Sequence, residues 1–210
     1  GGDAWTRVAY FNDADATLFT AENFAGWTPV VGEGDVFTGG SDDDEHTGDE
    51  TDDDLGGGKG DDDLNGGKGD DDVDGDKGDD SVNGGDGDDD VDGGNGDDDV
   101  DGGTGDDTID GGGGDDDVDG GNGDDTIDGG GGDDTLNGGS GSDDYVFTVA
   151  DGSTVTVEGF EIGKDVFDLS AIDADAATDG DQAFSFVEAF SNVAGQATLS
   201  YDAVADLTTA

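Results

Sequence analysis

Large apolar side chains recur through the middle of the chain at a single interval. Leu55, Leu64, Val73, Val82, Val91, Val100, Ile109, Val118, Ile127, Leu136 and Tyr145 stand nine residues apart, and from Leu55 to Leu136 both neighbours of each are polar or glycine. A nine-residue interval fits neither the 3.6-residue helical period nor plain strand alternation. One apolar residue between two polar ones predicts a three-residue strand with that side chain turned inward. The six residues between such strands predict a turn. Because a turn reverses the chain, two units close one coil of eighteen residues, and coils stack through parallel strand pairing about 4.8 Å apart. The expected fold is all-β, a right-handed parallel β-roll (a β-helix or solenoid) of nonapeptide repeats with capping segments at both ends.

The turns have a fixed composition. Gly57-Gly58-Lys59-Gly60-Asp61-Asp62-Asp63-Leu64-Asn65 and Gly102-Gly103-Thr104-Gly105-Asp106-Asp107-Thr108-Ile109-Asp110 follow one consensus, G-G-x-G-x-D-x-U-x, with U the apolar residue. Three glycines in fixed positions mark a tight turn that uses left-handed backbone or close approach. Stacking then gathers the sixth-position aspartates into two columns, Asp62, Asp80, Asp98, Asp116 and Asp134 in one and Asp71, Asp89, Asp107, Asp125 and Asp143 in the other. Carboxylates at coil spacing repel by about 0.8 kcal/mol per pair in water and by roughly 3 kcal/mol at an effective dielectric near 20. Columns of this kind require a counter-charge.

Composition points the same way. Of 210 residues, 60 are acidic and 5 basic, a formal charge of −55, and the pI is about 4.1. Segment 41–145 holds 42 of the acidic residues and 33 of the 45 glycines, whereas all the Phe, Trp and Tyr except Tyr145 lie outside it. This partition sets the expected organisation. Residues 1–38 form an aromatic N-terminal cap, 39–56 degenerate repeats, 57–146 the repeat body, and 147–210 a β-rich C-terminal cap. The charge excludes a nucleic-acid binder, which needs basic residues to displace phosphate counterions, and anionic membrane surfaces repel such a chain. There is no apolar run long enough for a membrane span and no basic, apolar leader. Zero cysteines remove disulfides and thiolate sites. The remaining ligand set is oxygen alone, carboxylate with turn carbonyl, which selects a hard cation and suits calcium at 6–8 ligands better than octahedral magnesium. An ion between each turn and the turn one coil on gives about eight.

Residues 57–146 resemble the RTX, or hemolysin-type, calcium-binding nonapeptide repeats, with Asp76 in a glycine position as the main departure. The resemblance implies a β-roll whose turns bind calcium through the ten sixth-position aspartates and the turn carbonyls. The carbonyls assigned are those of Gly58, Gly60, Gly67, Gly69, Gly78, Gly85, Gly87, Gly94, Gly96, Gly103, Gly105, Gly112, Gly114, Gly121, Gly123, Gly130 and Gly132. Upstream, Asp42, Asp49 and Thr51 replace glycines, and these first turns are expected to be irregular and metal-poor. The stretch Asp144–Phe147, Val157–Ser170, Gln182–Phe186 and Gly195–Asp202 is similar to the segment that closes the β-roll of serralysin-type metalloproteases. Family members leave the cell by type I secretion through an uncleaved C-terminal signal. The end at Thr208-Thr209-Ala210 lacks the usual terminal apolar motif, so that signal is expected to be incomplete, and the Gly1-Gly2 start reads as that of an excised fragment.

Competing chemistry is poorly supported. Asp70, Asp72, Asp74 and Gly75 brush an EF-hand loop, but Ser81 stands where its glutamate belongs. Neither H-E-x-x-H nor G-x-S-x-G occurs, and paired glycosidase carboxylates cannot be recognised on this acidic background. His46 sits in the U phase without zinc partners. The expected function is a secreted, extracellular, non-catalytic calcium-binding roll that folds on calcium after type I export and stabilises its parent protein. Its partners are calcium ions, a catalytic or adhesive parent domain and the type I secretion machinery, with no nucleic acid and no membrane span. Two rivals stay open. One is the C-terminal module of a secreted hydrolase, whether a serralysin-like metalloprotease, a lipase or a polysaccharide-modifying enzyme. The other is an adhesive or ice-binding module, which the irregular third position (Lys59, Asp86, Thr104, Gly113) disfavours.

Overall fold

The computed structural model describes residues 34–148 and 153–171, and the backbone alone of 196–198. Two units divide the chain, Gly1–Gly32 and Glu33–Ala210, and every described residue belongs to the second. The N-terminal aromatics Trp5, Tyr10, Phe11, Phe19, Phe24 and Trp27 lie outside the described residues, as do Gln182–Phe186.

All regular elements among the described residues are strands, and they alternate between two eight-stranded sheets. One sheet holds β1 (Val36–Thr38), β3 (Asp54–Gly56), β5 (Asp72–Asp74), β7 (Asp90–Asp92), β9 (Thr108–Asp110), β11 (Thr126–Asp128), β13 (Asp144–Val146) and β15 (Val166–Asp168). The other holds β2 (Glu45–Thr47), β4 (Asp63–Lys68), β6 (Ser81–Asp86), β8 (Asp99–Thr104), β10 (Asp117–Asn122), β12 (Thr135–Asn137), β14 (Thr156–Glu158) and β16 (Gln196–Thr198). From β1 to β13 neighbouring strands are parallel and eighteen residues out of phase, so that Val73 faces Val91 and Val82 faces Val100. The single antiparallel pair among these strands is β14 with β16. This is a parallel β-roll. Four strands of the second sheet are six residues long rather than three, because their pairing runs on through the turn, as in Gly67 with Gly85 and Lys68 with Asp86.

The U residues of both sheets meet in one thin core. Leu55, Leu64, Val73, Val82, Val91, Val100, Ile109, Val118, Ile127, Leu136, Tyr145 and Val157 are all buried. Glycine makes so narrow a coil possible. Gly96 has φ +148°, and a Cβ there would lie 1.5 Å from the Gly78 carbonyl oxygen of the coil below, so no side chain fits. Asp76 holds a left-handed φ of 68°, a conformation aspartate tolerates better than most residues.

Beyond Tyr145 the spacing changes. Tyr145 faces Phe167 and Leu136 faces Val157, separations of twenty-two and twenty-one residues. The longer coil takes in rings that the coils from Leu55 to Leu136 lack. Phe160 stacks on Phe167 with centroids 4.5 Å apart, and Tyr145 lies 5.7 Å from Phe167.

Candidate metal centre

The sixth-position aspartates point into the turns and are buried, with relative exposures of 1–3% from Asp62 to Asp143. Each uses one carboxylate oxygen to bridge coils. Asp80 Oδ1 accepts the N–H of Asp62 at 2.7 Å, and Asp107 Oδ1 accepts that of Asp89 at 2.9 Å. This bond recurs up to Asp143, whose Oδ1 accepts from Asp125 at 3.2 Å. The other oxygen is left over. In Asp62, Asp71, Asp80, Asp89, Asp98, Asp107, Asp116 and Asp125 the Oδ2 atom is buried without a hydrogen-bond partner. A buried, unpaired carboxylate oxygen is among the costliest groups a protein can hold.

What faces these oxygens is the first glycine of each turn, a residue the consensus alone did not single out. A Cβ on Gly102 would lie 2.7 Å from Asp107 Oδ2 and 2.8 Å from the Gly120 carbonyl oxygen of the next coil. The absent side chain therefore leaves a cradle with a carboxylate oxygen on one side and a backbone carbonyl on the other. The same pairing occurs at Gly57, Gly66, Gly75, Gly84, Gly93, Gly111 and Gly120, which with Gly102 makes eight complete cradles whose Oδ2 is unpartnered; Gly39 and Gly48 show the pairing too, but there the Oδ2 of Asp44 and Asp53 already accepts a backbone N–H. At Gly129 and Gly138 the nearest atoms belong to the turn's own aspartate, Asp134 and Asp143 respectively.

The glycines predicted to supply ligands occupy the second and fourth positions. All seventeen, from Gly58 and Gly60 to Gly130 and Gly132, have positive φ between 81° and 153°. Several second-position carbonyls also join coils, as where Gly94 O accepts from Gly113 N and Gly112 O from Gly131 N, both at 2.9 Å. One lone pair on each such oxygen stays free for another partner. Among the described residues no three acidic or His side chains converge to hold an ion. The oxygen donors are distributed instead, with side chain and backbone contributing together.

Electrostatics follows from burial. Asp107 and Asp116 are pushed up to about 7, and Asp80, Asp89, Asp98 and Asp125 to about 6. Desolvation is the main cause, neighbouring carboxylates add to it, and the inter-coil N–H bond opposes it. The fifth-position acids are exposed and yet bonded. Asp61 Oδ1 accepts from Asp79 N and Asp79 Oδ1 from Asp97 N, both at 3.1 Å. His46 stacks flat on Phe37 at 4.2 Å, with Nε2 3.9 Å from Asp35.

A thin roll of stacked parallel coils with a recurring aspartate-and-carbonyl cradle defines a class, the β-solenoids of short repeats. The family model of the RTX calcium-binding nonapeptide repeat (4 copies) matches residues 47–82, 66–100, 74–109, 92–127 and 110–145. The segment 47–145 consists of RTX calcium-binding repeats. No curated protein matches the chain.

Proposed function

We propose that the chain is the calcium-folded, non-catalytic roll of a secreted protein, with its ions held in the turns. The observation that carries this reading is the set of eight buried, unpartnered Oδ2 atoms, each facing a carbonyl across a first-position glycine. Asp62, Asp71, Asp80, Asp89, Asp98, Asp107, Asp116 and Asp125 would supply carboxylate oxygen. First-position carbonyls join the second- and fourth-position carbonyls as backbone ligands, and Asp134 and Asp143 close the last intervals from above. Bound calcium supplies positive charge and a preference for 6–8 oxygen ligands. Eight complete cradles support eight ions per chain.

The aspartates do three things in this reading. They bridge coils through Oδ1, offer Oδ2 to the cradle, and oppose folding by mutual repulsion until that oxygen is satisfied. The fold is thereby conditional on calcium, as metal binding supplies folding free energy. A self-repelling, extended chain passes an export channel readily and folds where calcium is plentiful, which is the support for extracellular placement and type I export. A parent protein, with a catalytic or adhesive domain, would be stabilised by the folded roll.

Far-ultraviolet circular dichroism and hydrodynamic radius, recorded with chelator and with millimolar calcium, test the reading. A β-type spectrum and a compact particle are expected in calcium alone, and equal compactness in both conditions would overturn it. Asp107→Asn is expected to weaken calcium affinity and flatten the cooperative titration, because an amide presents one neutral oxygen where two charged ones stood. An unchanged titration would remove Asp107 from the ligand set.

A further inference from the structure

The second residue of each turn has one backbone N–H, and in the turns where a side chain accepts it, that side chain is one of two kinds. In one group it goes backwards, to the side chain that ends the preceding strand. Asp76 N donates to Asp74 Oδ1 at 2.7 Å, Gly112 N to Asp110 Oδ1 at 3.0 Å and Gly121 N to Asp119 Oδ1 at 3.2 Å. All three donors have left-handed φ, 68°, 98° and 95°, and in their turns the Oδ2 atoms of Asp80, Asp116 and Asp125 stay unpartnered.

In the other group the N–H goes forwards into the turn's own aspartate. Gly40 N donates to Asp44 Oδ2 and Asp49 N to Asp53 Oδ2, both at 2.8 Å, and Glu161 N donates to Asp165 Oδ2 at 2.6 Å. None of these three donors has a positive φ. The residue two places before each is Thr38, Thr47 or Gly159, and none of those offers a carboxylate or amide oxygen. The N-terminal turns are pinched as well. The Gly66 carbonyl comes to 2.1 Å from the place of a Cβ on Gly48, against 2.4–2.9 Å in the eight complete cradles.

We propose that the destination of the second-position N–H decides whether a turn takes a cation, and that the ninth-position Asp or Asn is the positioning residue that keeps a cradle open. This deepens the calcium reading and rests on it. Where the N–H is drawn back by Asp74, Asp110 or Asp119, the sixth-position carboxylate keeps an oxygen for the ion. Where no such acceptor precedes it, the N–H neutralises that oxygen and the turn closes without metal. The turns at Asp44, Asp53 and Asp165 are therefore metal-independent, and the calcium ladder is bounded by sequence at both ends. A left-handed second glycine is a second route to the open state, used by Gly58 after Gly56.

The experiment counts calcium ions per full chain by native mass spectrometry, with calorimetry using calcium chloride alone. Asp53→Asn in the unaltered chain is expected to leave the count unchanged. Thr47→Asp with Asp49→Gly and Thr51→Gly restores the consensus at that turn and is expected to raise the count by one. Adding Asp53→Asn to that variant should remove the gain. A count that falls with Asp53→Asn alone, or fails to rise in the restored turn, overturns the inference while leaving the calcium reading intact. An unaltered chain that takes up no calcium overturns both. If the restored turn impairs folding, the Asp53→Asn count still decides.

Discussion

The repeat body and the coil that closes it use the same parallel register and are stabilised in different ways. From Leu55 to Leu136 each unit buries one aliphatic side chain and one aspartate, and no aromatic residue intervenes. From Tyr145 to Phe167 the coil lengthens, four rings pack together, and Asp165 has both carboxylate oxygens bonded to backbone N–H groups. The Tyr145 hydroxyl reaches back to accept the buried Gly138 N–H at 2.6 Å. No ring lies between Leu55 and Leu136, so the coils of the body do not gain the roughly 150–250 Å² of burial that an aromatic brings. In the proposed reading the body substitutes charge neutralisation by calcium for apolar area. The closing coil has the area and needs no ion at Asp165.

The largest disturbance of that contrast is expected inside the body. Gly96→Ala places a Cβ 1.5 Å from the Gly78 carbonyl oxygen on a left-handed backbone, which must spread two coils. A loss beyond the roughly 1–3 kcal/mol of local backbone strain is expected, read as a higher calcium concentration at the folding midpoint. A midpoint unchanged from that of the parent chain would mean that neighbouring coils can part at no cost. Next comes Phe167→Ala in the closing coil, expected to cost about 3 kcal/mol in saturating calcium, the lower end for a buried Phe because this ring is only partly buried. Thermal unfolding in calcium measures it, and a Tm equal to the parent's would show that the rings are ornament to a roll held by ions alone.

Acid acts on the body selectively. Raised carboxylate pKa values mean that the folded chain binds protons more tightly than the unfolded one, so without calcium stability is present at low pH and lost as pH rises through about 6 to 7. Lowering the pH of a chelated sample from about 8 to about 5 should therefore restore part of the β-type spectrum. With calcium present the sign reverses, because protons compete for the same oxygens. A midpoint near 4 would assign the change to exposed acids. The smallest effect is expected from Gly113→Ala. That glycine has no atom within 4 Å of its missing Cβ and no left-handed φ, so alanine should stabilise by about 0.4–1 kcal/mol through the unfolded chain. Destabilisation would make the third position part of the metal turn.

Much of this was legible in the nine-residue phase. It placed Leu55 to Tyr145 in the core, alternated them between two sheets and gathered the sixth-position aspartates into columns, because each of those inferences needs periodicity only. The first-position glycines were not legible. Gly102, Gly103 and Gly105 share one letter, yet Gly102 opens a cradle, Gly103 turns left-handed at 104° and Gly105 clears the carbonyl of Gly87. Which role a glycine plays depends on what lies where its Cβ would be, and that is set by the neighbouring coil. Bond direction was hidden for the same reason. Asp80 and Asp79 are adjacent, but Asp80 accepts from the coil before it and Asp79 from the coil after it. The closing coil escaped the period altogether, since it is three or four residues longer.

The eighteen-residue register has a geometrical meaning of its own. Every interior contact of the body joins a unit to its own coil or to the next, so a unit can be added without altering the contacts of any other. One extra nonapeptide advances the chain by half a revolution, and two advance it by a full one and about 4.8 Å along the axis. The body is thus a screw whose length and angular setting are written in units of nine residues. Tandem gain or loss of repeats would reorient whatever is joined to one end relative to the other, and two at a time would change the separation alone.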